Sequence, residues 1–139
     1  MKYMIGTHPH EDHIGGLDTV MDSVTTETLL MPSLEYDSKT YEDVLKAAGD
    51  NHVPIQNPVV GDTYSLGEAI VTVLAPVRSG YMDTNNYSIA VRIDYGETSF
   101  LLTGDAEIEA EYDMLETGLE LKADVLKVGH HGSDTSTSE

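Results

Sequence analysis

Three of the chain's six histidines, His8, His10 and His13, fall together with Asp12 in the stretch THPHEDHIGG. Imidazole nitrogens and carboxylate oxygens are the donors that a zinc-type ion takes at about 2.0–2.2 Å, so this cluster could hold a divalent metal. The chain has no cysteine, which excludes disulfides and leaves His and carboxylate as its strong transition-metal ligands. In an extended segment, positions two apart face the same way, which predicts His8, His10 and Asp12 on one face before His13 begins a turn. Pro9 disfavours helix at His8, and Gly15 and Gly16 let the backbone bend tightly afterwards. Two later stretches place polar residues just past an apolar strand: FLLTGD ends in Asp105, and VLKVGHH ends in His130 and His131. Taken alone, Asp105 reads equally well as the N-cap of a following helix, and GHHGS as a surface turn. Three donor clusters at three strand ends point instead to one pocket. His52, in GDNHVPI, has no such company and is read as a surface or core residue.

The elements that must position these residues follow from periodicity and turn signals. KYMIG reads as a strand running into the His cluster, and IGGLDTVMDS has helical spacing at Ile14, Leu17 and Met21. ETLLM reads as a strand, SKTYEDVLKAAG as a helix ending at Gly49, and VPIQN as a short strand or connector. TYSLGEAIVTVLAP predicts a hairpin turning at Gly67, and NYSIAVRIDYGETSFLLTGD a second one around YGET whose outgoing arm delivers Asp105. Asp105 to Glu120 predicts an acidic helix with Ile108, Tyr112, Leu115 and Leu119 as its apolar stripe, and ADVLKVGHHGS a buried strand. The expectation is a single mixed α/β domain over residues 1–139, with sheet and helices in layers and no repeat or linker.

Composition limits the partners. With 25 acidic and 7 basic residues the formal charge is -18, which repels phosphate backbones and anionic membrane surfaces and argues against nonspecific nucleic-acid binding by this chain alone. No apolar run of membrane-spanning length and no signal-peptide pattern is present. The expectation is a soluble chain that does not insert into a membrane, cytoplasmic or an extramembrane domain of a larger protein.

THPHEDHIGGL, FLLTGD and LKVGHHGS resemble the successive metal-binding motifs of the metallo-β-lactamase superfamily. With NNYSIAVRIDYGETSFLLTGD added, the chain from about Met4 to Ser136 is similar to the hydrolase-like domain of ComEC-type competence proteins. The resemblance implies an αββα sandwich with two divalent metal ions. His8 and His10 would bind the first, Asp12 and His13 the second, and Asp105 would bridge them. His130 matches the last ligand, and His131 a supporting or proton-carrying residue, with the reverse assignment open. Histidine-rich ligation suits zinc, and the oxygen share leaves manganese or iron open.

Two departures stand out. Many members carry a further histidine where this chain reads TNNYS, which brings Asn85, Asn86 and Ser88 toward the site. The family pattern also has strands before the first motif and a strand and helix after the last, so an incomplete sandwich is expected. The implied function is metal-dependent hydrolysis, with Asp12 also orienting a water nucleophile. The substrate would be a small molecule or a nucleic-acid phosphodiester, linked to DNA uptake through a basic or membrane-embedded partner domain. Arg78 and Tyr81 are candidate substrate contacts in the loop before TNNYS. The alternative is a non-catalytic metal-binding domain with a structural or regulatory role.

Overall fold

The structure, a computed structural model, describes residues 1–138. The chain divides into two compact units, Met1–Asn57 and the part from Pro58 onward.

In the first unit, β1 (Tyr3–Ile5), β2 (Thr28–Leu30) and β3 (Ile55–Gln56) form a parallel sheet in that order. Parallel neighbours need crossover connections, and helices supply them: α1 (Glu11–Ile14) and α2 (Leu17–Ser23) between β1 and β2, then α3 (Lys39–Asp50) between β2 and β3. Ser38 caps α3 by accepting a hydrogen bond from the Tyr41 N–H at 3.1 Å, and Val44, Ala47 and Ala48 turn its apolar face inward. They pack with Met4, Ile14, Met21, Leu29, Met31 and Val53 into one core.

The helix expected over IGGLDTVMDS starts earlier and is split in two. Glu11–Ile14 form a separate turn that closes at Gly15, whose N–H donates to the Glu11 carbonyl at 2.7 Å. A Cβ on Gly15 would stand 2.5 Å from that same oxygen, so the closure requires glycine.

In the second unit, β4 (Thr63–Leu66), β5 (Ala69–Ala75), β6 (Ala90–Tyr95) and β7 (Thr98–Leu102) run antiparallel in sequence order. Both expected hairpins are present. Each has a two-residue loop opening on a glycine with positive φ, Gly67 (63°) and Gly96 (59°), the conformation that such loops demand. After α4 (Ile108–Glu116), β8 (Val125–Lys127) joins β7 in parallel at the edge of the sheet. Leu74, Ala75, Tyr81, Ala90, Ala106, Ala110 and Met114 form the core of this unit.

Two expectations are corrected here. The acidic helix is shorter than Asp105 to Glu120, and its buried residues are Ala110, Glu111 and Met114, whereas Tyr112 and Leu115 are 57% and 58% exposed. Burial follows the use of Glu111, whose two carboxylate oxygens accept the Thr137 and Ser138 N–H groups and draw that face inward. β8, read as buried from its apolar run, is exposed along its length because it is the outer strand, paired with β7. The mixed α/β architecture of two sheets with helices is as expected. No helix among the described residues is long and apolar enough to cross a membrane.

Candidate metal centre

In the first unit the donors gather where β1 gives way to α1. Gly6 ends the strand close against the helices, since a Cβ there would meet Ile14 Cγ2 at 3.1 Å and Leu17 Cδ1 at 3.2 Å. His8 is fully buried. Its Nε2 lies 3.0 Å from His10 Nδ1, and its ring centroid lies 4.7 Å from that of His10 and 4.2 Å from that of His13. The three imidazoles therefore cluster as their spacing suggests.

Asp12 departs from the expected extended face. It belongs to the α1 turn, where its Oδ2 stands 3.4 Å from His13 Nε2 and its side chain is 63% exposed. Extended alternation stops at His10, which already caps α1. Sequence reasoning missed Thr7, whose hydroxyl lies 3.2 Å from Nδ1 of both His8 and His13 and so fixes how two rings are turned.

In the second unit, parallel pairing in which Leu102 faces Lys127 brings the ends of β7 and β8 to one edge. Asp105 follows β7 through Gly104, which adopts φ 57°. Its carboxylate is 3% exposed, and its Oδ2 lies 3.2 Å from His131 Nε2. The Asp105 N–H donates to the buried Ser88 Oγ at 3.0 Å.

Asn85 and Asn86, on the short 3-10 turn Thr84–Tyr87, are buried as well. Asn86 Oδ1 accepts the Glu107 N–H at 3.0 Å, and Asn85 Nδ2 donates to Glu107 Oε1 at 3.3 Å. The side chains of this turn thus hold the Asp105–Glu107 segment in place. Asp105 does not cap α4, whose N-cap position is Glu107.

The two adjacent histidines point to different partners. His131 faces Asp105, whereas His130 Nδ1 lies 3.2 Å from Glu107 Oε1 and 3.1 Å from Thr135 Oγ1. Both occupy the left-handed region, at φ 43° and 53°. Such a conformation costs a non-glycine residue about 1–3 kcal/mol and tends to persist where a functional geometry requires it. Gly129 before them is tightly enclosed, since a Cβ would meet Ala106 O at 3.1 Å and Thr103 Oγ1 at 3.2 Å.

Arg78 and Tyr81 are engaged by α4. The Arg78 guanidinium bonds Asp113 at 2.8 Å, pairs with Glu109 and lies 4.1 Å over the Tyr81 ring, while the Tyr81 hydroxyl donates to Asp113 Oδ2 at 2.7 Å. Burial, aided by that bond, pushes the Tyr81 hydroxyl pKa well above the usual tyrosine value. His52 is an exposed surface residue.

The donor sets fit a divalent cation: clustered imidazoles with a carboxylate in one unit, and a buried carboxylate against an imidazole in the other. Comparison with known proteins accounts for them. The family model of the metallo-β-lactamase superfamily matches residues 2–139. The chain belongs to this superfamily. Among the curated relatives, ComE operon protein 3 of Bacillus subtilis (strain 168) is 35% identical over 136 residues, which is 98% of this chain and 18% of that protein. Recombination protein 2 of Haemophilus influenzae is 33% identical over 140 residues, covering 100% of this chain and 16% of that protein. Both are ComEC-type competence proteins, and the chain spans under a fifth of their length. Among solved structures, CmlA, a diiron β-hydroxylase from Streptomyces venezuelae, matches with a TM-score of 0.60 at 19% identity, covering 92% of this chain and 25% of that one. That likeness shows the metallo-β-lactamase fold.

Proposed function

We propose that the chain is a metal-dependent phosphodiesterase acting in DNA uptake, with residues 1–139 working as one metallo-β-lactamase-like domain. His8, His10, Asp12, His13 and Asp105 would hold two divalent ions, and His131 would complete the set in place of His130. The observation that carries this reading is the buried Asp105 carboxylate facing His131 at 3.2 Å, in a chain whose first motif clusters three imidazoles. Bound there, two divalent ions would supply Lewis acidity and bring the pKa of a water toward about 7.

The chain's own residues do the rest. Asp12, exposed beside His13, orients the attacking water and accepts its proton. His8, His10 and His13 keep ring nitrogens turned to the site through the Thr7 hydroxyl and their mutual contacts. With His131 among the metal-holding residues, the neighbouring His130, 30% exposed, would take the proton-carrying part and return a proton to the leaving oxygen. The imidazole-rich set favours zinc, and the diiron description of the fold neighbour keeps iron beside manganese as a candidate.

A charge of -18 does not grip DNA, so a basic or membrane-embedded partner domain would present the strand. The competence relatives, more than five times longer than this chain, support such an arrangement, with the domain lying outside the membrane. A non-catalytic metal-binding role is the second reading, favoured by Asn85, Asn86 and Ser88 standing where a histidine is common.

The test is elemental analysis together with hydrolysis of bis(p-nitrophenyl) phosphate and of a short DNA strand, for the wild type, Asp105→Ala and His131→Ala. Metal content and turnover falling together in both variants support the proposal. Bound metal with no turnover on any substrate favours the second reading, and undiminished turnover in Asp105→Ala refutes the mechanism.

A further inference from the structure

Glu107 occupies the N-cap position of α4, yet its side chain makes no capping bond to that helix. The carboxylate is directed elsewhere. A single oxygen, Oε1, lies 3.3 Å from Asn85 Nδ2, 3.2 Å from His130 Nδ1 and 2.9 Å from Thr135 Oγ1. The first turn of α4 is satisfied by the same neighbour, because the Ile108 N–H donates to the Thr135 carbonyl at 3.0 Å. The Glu107 N–H is taken by Asn86. One residue thus joins the Asn85–Asn86 turn, the start of α4 and the segment His130–Thr135.

That segment needs such support. His130 and His131 are both left-handed, at φ 43° and 53°, and nothing intrinsic to histidine keeps two successive residues there. His131 Nε2 reaches Asp105 Oδ2 only while the backbone holds this shape.

We propose that Glu107 is a positioning residue that, by accepting hydrogen bonds from Asn85 and from Thr135, which in turn bonds the His130 ring, holds His131 against Asp105 and so sets the metal affinity of the site. The inference rests on the metal-binding reading above. It assigns to Glu107 the part that a carboxylate supporting a ligating histidine plays elsewhere, acting here through the neighbouring imidazole.

The experiment compares wild type, Glu107→Ala and Glu107→Gln by zinc competition against a chelator and by amide hydrogen exchange over residues 129–135 of the metal-free protein. Glutamine keeps an oxygen acceptor for the Asn85 and Thr135 donors, whereas alanine removes it. The expected result is a loss of zinc affinity on the order of 10- to 100-fold in Glu107→Ala, near-complete rescue in Glu107→Gln, and faster exchange over 129–135 in the alanine variant alone. Wild-type affinity in Glu107→Ala overturns the proposal, and so does equal loss in both variants, which would assign the effect to charge and not to the hydrogen bonds. Should the wild type bind no zinc, the metal-binding reading fails. The exchange data then decide the positioning role: faster exchange in Glu107→Ala alone upholds it, and no difference overturns it.

Discussion

Replacing Ser88 by alanine removes a bond on which the position of Asp105 depends. Ser88 is fully buried, and its Oγ accepts the Asp105 N–H at 3.0 Å. Removing the hydroxyl strands a buried donor, which costs about 1–3 kcal/mol, more than the net worth of an ordinary hydrogen bond. Unfolding entropy of about 2.1 cal/mol/K per residue makes 1 kcal/mol equivalent to about 3–4 °C for 139 residues. The metal-free Ser88→Ala protein should therefore melt about 3–10 °C below the wild type when followed by circular dichroism. With the Asp105 backbone loosened, zinc affinity measured by chelator competition should fall on the order of 10- to 100-fold, the usual effect of removing a group that orients a ligand. A melting temperature within a degree of the wild type, with affinity unchanged, would refute the claim that the Thr84–Ser88 segment holds the carboxylate in place.

Two further outcomes are expected. Gly15→Ala puts a Cβ 2.5 Å from the Glu11 carbonyl, so the α1 turn must open; metal-free stability should fall by more than about 1 kcal/mol in urea unfolding, and metal affinity at the proposed site should weaken with it. A Gly16→Ala control, where added atoms meet nothing within 4 Å, should be nearly neutral. Tyr81 should ionise well above the usual tyrosine value in an ultraviolet titration, a late step absent in Tyr81→Phe. Because its folded pKa is raised, its stabilising contribution is complete below the usual value of 10.0 and is lost as pH climbs above it, where the unfolded chain releases the proton first; stability of Tyr81→Phe should accordingly fall less steeply above that pH.

The parts of this molecule that were legible in the sequence are those governed by local rules. Gly67 and Gly96 mark the two hairpins because a two-residue loop needs positive φ at that place. The His8–His13 cluster is legible because few structural roles call for so many imidazoles in so short a stretch. The orientation of α4 was not legible, because its sequence carries two stripes at helical spacing: Ile108, Tyr112 and Leu115 by hydrophobicity, and Ala110 and Met114 beside Glu111. The sequence reading favoured the first. The fold buries the second, because the Glu111 carboxylate meets the Thr137 and Ser138 amides, more than twenty residues away. For the same reason Thr7 and Glu107 carried no signal, since each acts on a partner that folding alone supplies.

The HHG segment shows how these non-local contacts make the site. Two adjacent left-handed histidines cost about 1–3 kcal/mol each, which an unsupported loop would relieve by changing shape. Here the His130 N–H is held by the Gly104 carbonyl at 3.2 Å, its ring by Glu107, and the Ser136 hydroxyl by the Ala106 carbonyl at 2.9 Å. Every one of these partners lies within the stretch Gly104–Glu107 that also presents Asp105. The bonds that keep His131 in its strained conformation are thus the bonds that fix its distance from the carboxylate. Loosening either side should shift both, so changes at Ser88 and at Glu107 should be less than additive in metal affinity, whereas sites without shared partners add.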